Sequence, residues 1–169
     1  DDAARMLEVV SRKAQRDTLK ADARGRLSII AKGRGLAYWD LLERLIPTAG
    51  LDAAGTIALD FGPRRFTGAF DGALKPYVLD GDGRRLKELP RPHKSDDAKK
   101  AGEAMARWAA SRKAAREVAR NQVKRMEEAM VSQRRWAQDS WRLLAAHPLM
   151  GGMMRSLLWG DFDDEGALL

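Results

Sequence analysis

Arg112, Arg116, Arg120 and Lys124 recur every four residues, Arg134 and Arg135 stand side by side before Trp136, and His147 stands directly before Pro148. These are the side chains whose type and spacing could do chemistry. Cations at four-residue intervals along one helix form a basic edge for phosphates or carboxylates, and an indole beside two guanidiniums can stack on a base. The same pattern also makes a solvated helix face, and Glu103 four residues before Arg107 has the spacing of a simple helical ion pair. Arg112 falls where an apolar seam residue is expected, so its guanidinium must snorkel out, find a carboxylate or meet a ligand. For His147 the choice lies between a base in a cleft and a structural ring that either caps the helix after Pro148 or bonds a backbone carbonyl, and we favour the structural ring in one of those two roles.

Other candidates fail on spacing. Gly33-Arg34-Gly35 lacks the further glycine of a dinucleotide loop and the Lys-Ser/Thr of a P-loop, so it reads as helix punctuation. Asp80, Asp82 and Gly83 resemble the start of a calcium loop, but Arg85 and Arg91 stand where its glycine and its bidentate glutamate belong. Asp161 to Glu165 is acid-dense, yet it follows an apolar run and reads as a hairpin turn. His93 beside Lys94 reads as a linker residue with nothing near in sequence to orient it. Seven serines and two histidines, without a strand-Ser-helix elbow, give no nucleophile with a base.

Composition narrows the classes further. Absent cysteine removes disulfides, thiol catalysis and cysteine-bound zinc, and His93 and His147 are too few for a histidine-rich metal site. No catalytic residue, metal or cofactor is expected. No 18-residue apolar run and no signal peptide occur, so a soluble, cytoplasmic chain is expected, with no membrane partner. The formal net charge of +7 is uneven. Residues 101–150 carry ten Lys and Arg against five Asp and Glu, whereas 151–169 carry one against four. An acidic partner such as nucleic acid therefore stays open.

The elements that must position these residues follow from periodicity. The spacing predicts a helix from the start of the chain to about Thr18 through Ala4, Leu7, Val10 and Ala14, with Arg5, Arg12, Lys13 and Arg16 outside. Asp22 to Gly35 reads as a short helix or turn-rich connection, and Tyr38 to Ile46 as a helix ended by Pro47. Alternation then predicts strands at Ile57 to Phe61, Phe66 to Phe70, Lys75 to Leu79 and Arg84 to Leu89, with Pro76 making the third an edge strand or delaying its start. A long helix spans 96–131, capped by Ser95, Asp96 and Asp97. Its seam runs through Ala101, Met105, Trp108, Arg112, Ala115, Ala119, Gln122, Met126 and Ala129. Further helices are predicted at Gln138 to Ala146 and from Pro148 to Leu157, then a strand at Leu158 to Phe162 and a return strand at Ala167 to Leu169. The fold class is α+β, mainly helical, with a small antiparallel sheet and one long amphipathic helix. Residues 1–50 are expected to be the end of an upstream helical region and 51–169 a domain of their own, within a fragment of a longer protein.

Five phrases set this chain apart: Phe61-Gly62-Pro63-Arg64-Arg65-Phe66, Leu74-Lys75-Pro76-Tyr77-Val78, Gln133-Arg134-Arg135-Trp136, His147-Pro148-Leu149-Met150 and Leu158-Trp159-Gly160-Asp161-Phe162-Asp163. In order and spacing they resemble the bacterial family of unknown function numbered 4132, over most of residues 50–169. The resemblance implies a large multidomain parent, in some members with a WGR domain and a name as a molybdate-metabolism regulator, and it carries over no catalytic residues. Three functional readings follow. The first is a non-catalytic interaction or regulatory module that meets other domains of its parent or a protein partner; the second binds nucleic acid along the basic edge; the third is an enzyme of unknown chemistry. Trp108, Trp136, Trp141 and Trp159 all fall where a core is expected, which weakens base stacking in the second.

Overall fold

The computed structural model describes residues 2–163, 165 and 167. The chain forms two compact units, one of Asp1–Pro47 with Trp136–Leu143, the other of Thr48–Arg135 with Leu144–Leu169.

In the first unit α1 (Asp2–Lys13), α2 (Asp17–Gly33) and α3 (Tyr38–Arg44) follow one another. Ala4, Leu27, Ala31, Leu41, Leu42 and Leu45 close on a shared core, with Leu7, Ile30, Leu36 and Tyr38 against its rim. Two expectations change here. α1 stops at Lys13 instead of near Thr18, and the stretch read as a short helix or turn-rich connection is one continuous helix of 17 residues. Ala23, Leu27 and Ala31 lie four residues apart and are all buried, and their packing outweighs the roughly 1 kcal/mol that one mid-helix glycine costs. That glycine, Gly25, has no heavy atom within 4 Å of where a Cβ would stand. Gly33-Arg34-Gly35 is the helix end: Leu36 N donates to Ala31 O, Gly35 N donates to Lys32 O, and Gly35 takes φ 66°. This is the left-handed C-terminal cap for which glycine is suited.

The second unit holds a four-stranded antiparallel meander, β1 (Thr56–Asp60), β2 (Arg65–Phe70), β3 (Pro76–Leu79) and β4 (Arg85–Leu86), ordered as in sequence. Ile57 faces Gly68, Leu59 faces Phe66 and Gly68 faces Val78, so these side chains share the inner face. β3 begins at Pro76 rather than Lys75 and lies between β2 and β4, not at an edge. β4 is shorter than the predicted Arg84 to Leu89. Its pairing of Leu86 with Val78 would next run up to Pro76, which has no N–H to extend the ladder.

Three turns reuse one device. Asp52, Asp71 and Asp80 each accept the backbone N–H groups two and four residues on. The residue three on is left-handed each time: Gly55 at φ 77°, Leu74 at 56° and Gly83 at 78°. The Asp80 loop is thus a hairpin turn closed by its own backbone.

Against the sheet lies α4 (Ala98–Val131), whose N-cap Asp97 accepts from Lys99 N and Lys100 N. Its C-terminus closes with Gln133 at φ 50°, Arg134 N donating to Ala129 O and Gln133 N to Met130 O. The predicted seam is right at six of its nine places. Ala101, Trp108, Ala115, Gln122, Met126 and Ala129 are buried, but the places given to Met105, Arg112 and Ala119 belong to Ala104, Ser111 and Val118. Met105 is 39% exposed and Ala104 1%. A residue chosen three on instead of four rotates the seam back onto the small side chains, which let the helix approach the sheet closely.

α5 (Gln138–Ala146) and α6 (Gly151–Arg155) complete the order. α6 is shorter than the predicted helix from Pro148 to Leu157, because residues 148–150 form a turn. No strand forms from Leu158 to Phe162. The Trp159 indole turns back so that Nε1 donates to Met154 O at 2.8 Å, which draws the chain out of an extended path, and only Phe162 makes an isolated bridge. Beyond it Asp163 N donates to Ala167 O and Ala167 N to the Asp163 carboxylate. Of the predicted turn and return strand, Asp164, Gly166, Leu168 and Leu169 lie outside the described residues.

Candidate functional site

Arg112, Arg116, Arg120 and Lys124 are all exposed on α4. Arg112 therefore does not occupy the seam: its guanidinium needs no buried partner, because Ser111 takes the inward place. Each four-residue step along a helix turns about 40° beyond a full turn, so the row winds across the outer surface instead of forming a straight edge. Lys124 Nζ lies 3.7 Å from Glu128 Oε1, an exposed pair of small energetic weight.

Arg134 is half-buried, while Arg135 stands over the Phe162 ring with its guanidinium carbon 4.5 Å from the centroid. Trp136 belongs to the first unit, where Nε1 donates to Glu43 Oε1 at 2.8 Å. Among the tryptophans expected in the core, Trp108 is buried, Trp136 and Trp141 are half-buried, and Trp159 is partly exposed.

His147 is a cap. Its Nδ1 accepts from Leu149 N and Met150 N, each at 3.2 Å, so that nitrogen carries no proton and satisfies two donors at the turn into α6. The turn is bedded on backbone: a Cβ on Gly55 would stand 2.8 Å from Pro148 O, and one on Gly151 2.6 Å from Ala145 O.

Two arrangements escaped the sequence. His93 is oriented after all, its Nδ1 2.9 Å from Ser95 Oγ and 3.3 Å from Ser95 N. Asp96 follows at once, so Ser, His and Asp stand within one turn, the first two exposed and the Asp96 carboxylate covered. The geometry is not that of a catalytic triad, which needs the carboxylate on the ring nitrogen opposite the serine. Here Asp96 binds the His93 backbone N–H at 2.6 Å. Its other partner is the second arrangement. Arg64 holds Asp96 through two parallel bonds, Nε to Oδ1 at 3.0 Å and Nη2 to Oδ2 at 2.6 Å, and Nη2 also donates to Arg91 O. The guanidinium carbon lies 5.6 and 5.4 Å from the Phe61 and Phe66 ring centroids. This clasp ties the β1–β2 turn to the start of α4. It holds the Asp96 carboxyl down at about 2, chiefly through the hydrogen bonds from Arg64 and then the His93 N–H. Arg64 and Asp96 stand 32 residues apart, and no local pattern links them.

β1 is one of the two outer strands of the sheet, and its edge is occupied. Arg107 Nη2 donates to Ala58 O at 2.8 Å, Lys100 Nζ meets Asp60 Oδ2 at 3.1 Å, and Asp52 N donates to Thr56 O. The edge is guarded against another strand. Among the described residues no group of three or more Asp, Glu or His side chains is placed to hold a metal ion, and no helix is long and apolar enough to cross a membrane.

The comparisons with known proteins bear on the phrases around this clasp and cap. Residues 83–169 match the family described as "Domain of unknown function (DUF4132)". Over 163 residues, 96% of its length, the chain is 38% identical to the protein of Escherichia coli strain K12 named "Uncharacterized protein YehI". It spans 14% of that relative's length. No solved structure matches.

Proposed function

The chain belongs to the DUF4132 family, and from that premise we propose that it is a non-catalytic association module that docks onto another segment of a longer protein. One observation carries this reading: in four of the five phrases that mark the family resemblance, polar side chains are committed to the chain's own fold. Arg64 binds Asp96 and a carbonyl, Trp136 binds Glu43, His147 caps a turn, and Trp159 binds a carbonyl. Groups fastened in this way hold geometry; they are not poised to exchange protons with a substrate. What faces outward on α4 is a broken apolar row, Met105, Val123 and Met130, the last 73% exposed. Met105 and Val123 lie eighteen residues apart, a whole number of helical turns, and Met130 seven beyond, so all three share one face. Such a row beside a buried seam is where a second segment packs. The partner is taken to be the parent chain because this module spans so small a share of YehI.

The test is calorimetric. This chain, with the matched stretch of YehI as reference, is titrated into YehI from which that stretch has been deleted. Association in about the micromolar range is expected. Met105→Gln, Val123→Gln and Met130→Gln together should weaken it roughly tenfold through lost apolar burial, while Arg116→Glu, Arg120→Glu and Lys124→Glu together leave it unchanged. Absence of heat with both pieces, or loss only on charge reversal, would overturn the reading.

A further inference from the structure

The winding of the basic row points to a second partner, and we infer that Arg112, Arg116, Arg120 and Lys124 form a track for a flexible polyanion, single-stranded nucleic acid. This goes beyond the docking reading: Arg112 shares the face of Met105 and Met130, but Arg120 and Lys124 turn away from it, and the apolar and the charged substitutions separate the two readings. All four side chains are exposed. Lys113 lies within the same sector, and Glu117 is the one acidic residue between Arg112 and Lys124. From Arg112 to Lys124 the helix rises about 18 Å while the row turns about 120° around its axis. Arg112 therefore sits near the rim of the buried seam, and Lys124 points from the far side of the helix.

That geometry selects the ligand. A flat anionic surface touches only the part of the row that faces it, and a stiff duplex meets the same limit. A single strand bends, so its phosphates can follow the twist and meet each cation in turn. No exposed aromatic side chain interrupts the row, since Trp108 is turned inward at 2% exposure. Binding is therefore through phosphates and nearly blind to base identity.

The probe is fluorescein-labelled oligo-dT of 20 nucleotides, read by anisotropy between 50 and 150 mM salt, beside a 20-base-pair duplex and vesicles of mixed phosphatidylserine and phosphatidylcholine. With four phosphates neutralised, log affinity should fall with log salt at a slope of about −3, roughly a 20-fold loss across that range. Arg116→Glu, Arg120→Glu and Lys124→Glu together should abolish binding at 50 mM. The corresponding Gln variants should flatten the slope to about −1 without moving the thermal midpoint by more than about 2 °C. Absent binding at 50 mM, unchanged binding or slope in the variants, or tighter binding to the duplex or the vesicles than to oligo-dT would each overturn the inference.

Discussion

Replacing Trp108 by alanine is expected to lower the free energy of unfolding by about 4 kcal/mol, read from urea denaturation. The indole is buried where α4 crosses the sheet, its ring 5.4 Å from that of Phe70. Its bed is Gly68, where a Cβ would stand 2.6 Å from Trp108 Cζ3 and 2.9 Å from Ile57 Cγ2. The pair is a knob and a slot, so the loss has two parts: buried aromatic area, and a cavity that the strand backbone cannot collapse to fill. The slot gives a second arm. Gly68→Ala alone should cost about 2 kcal/mol by forcing the ring out of place. Combined with Trp108→Ala it should cost less than the sum, because the added methyl then enters the vacated space. Simple additivity would show that the indole does not rest on Gly68.

Breaking the clasp between Arg64 and Asp96 is the other large effect. Arg64→Ala takes from the covered carboxylate its two guanidinium bonds while the His93 N–H stays, and the thermal midpoint at pH 7 should drop by about 5 °C. The pH dependence has a definite sign. Asp96 is held at about 2 against an ordinary 3.8, so the native state binds this proton less readily than the unfolded chain does. The clasp's contribution is therefore fully present above about pH 4 and is lost as pH falls towards 2. Asp96→Asn should lower the midpoint at pH 7, and its curve should meet that of the unaltered protein near pH 2. Parallel midpoints from pH 6 to pH 2 would show that the carboxylate's charge is not what the clasp uses.

The sequence carried the local features well, and physics explains where it did not. Alternating Ile57, Leu59 and Phe61 placed β1, and the acidic cap before Ala98 placed α4, because both signals lie within a few residues of the structure they make. The helical seam was misplaced at Met105, Arg112 and Ala119 for a different reason. Spacings of three and four both keep a helix face, and the choice between Met105 and Ala104 was settled by how closely α4 approaches the sheet. The glycines of Asp22 to Gly35 point to a short helix or turn-rich connection because their local cost is visible, whereas the burial of Ala23, Leu27 and Ala31 is tertiary. The Asp52, Asp71 and Asp80 turns had a readable mark, an aspartate three residues before a left-handed position, yet Leu74 fills that position once and hides the repeat. Trp159 ended the strand predicted from Leu158 through a bond to Met154 that alternation cannot reveal. Among the candidate residues, the place of His147 before Pro148 left a cleft, a helix cap and a bond to a backbone carbonyl open, and the ring accepts two backbone donors at the turn. The orientation of His93 by Ser95 was overlooked within two residues of chain.

If the residues that look chemical are fasteners, His147 is the one that decides it, and its thermal midpoint is the measurement to make. His147→Ala removes the acceptor for Leu149 N and Met150 N, and a lost cap worth about 1 kcal/mol should lower the midpoint by about 3 °C. His147→Asn, whose side-chain oxygen can accept the same donors, should recover most of that loss. A midpoint unchanged by His147→Ala would contradict the fastening role and return the imidazole to the search for a site.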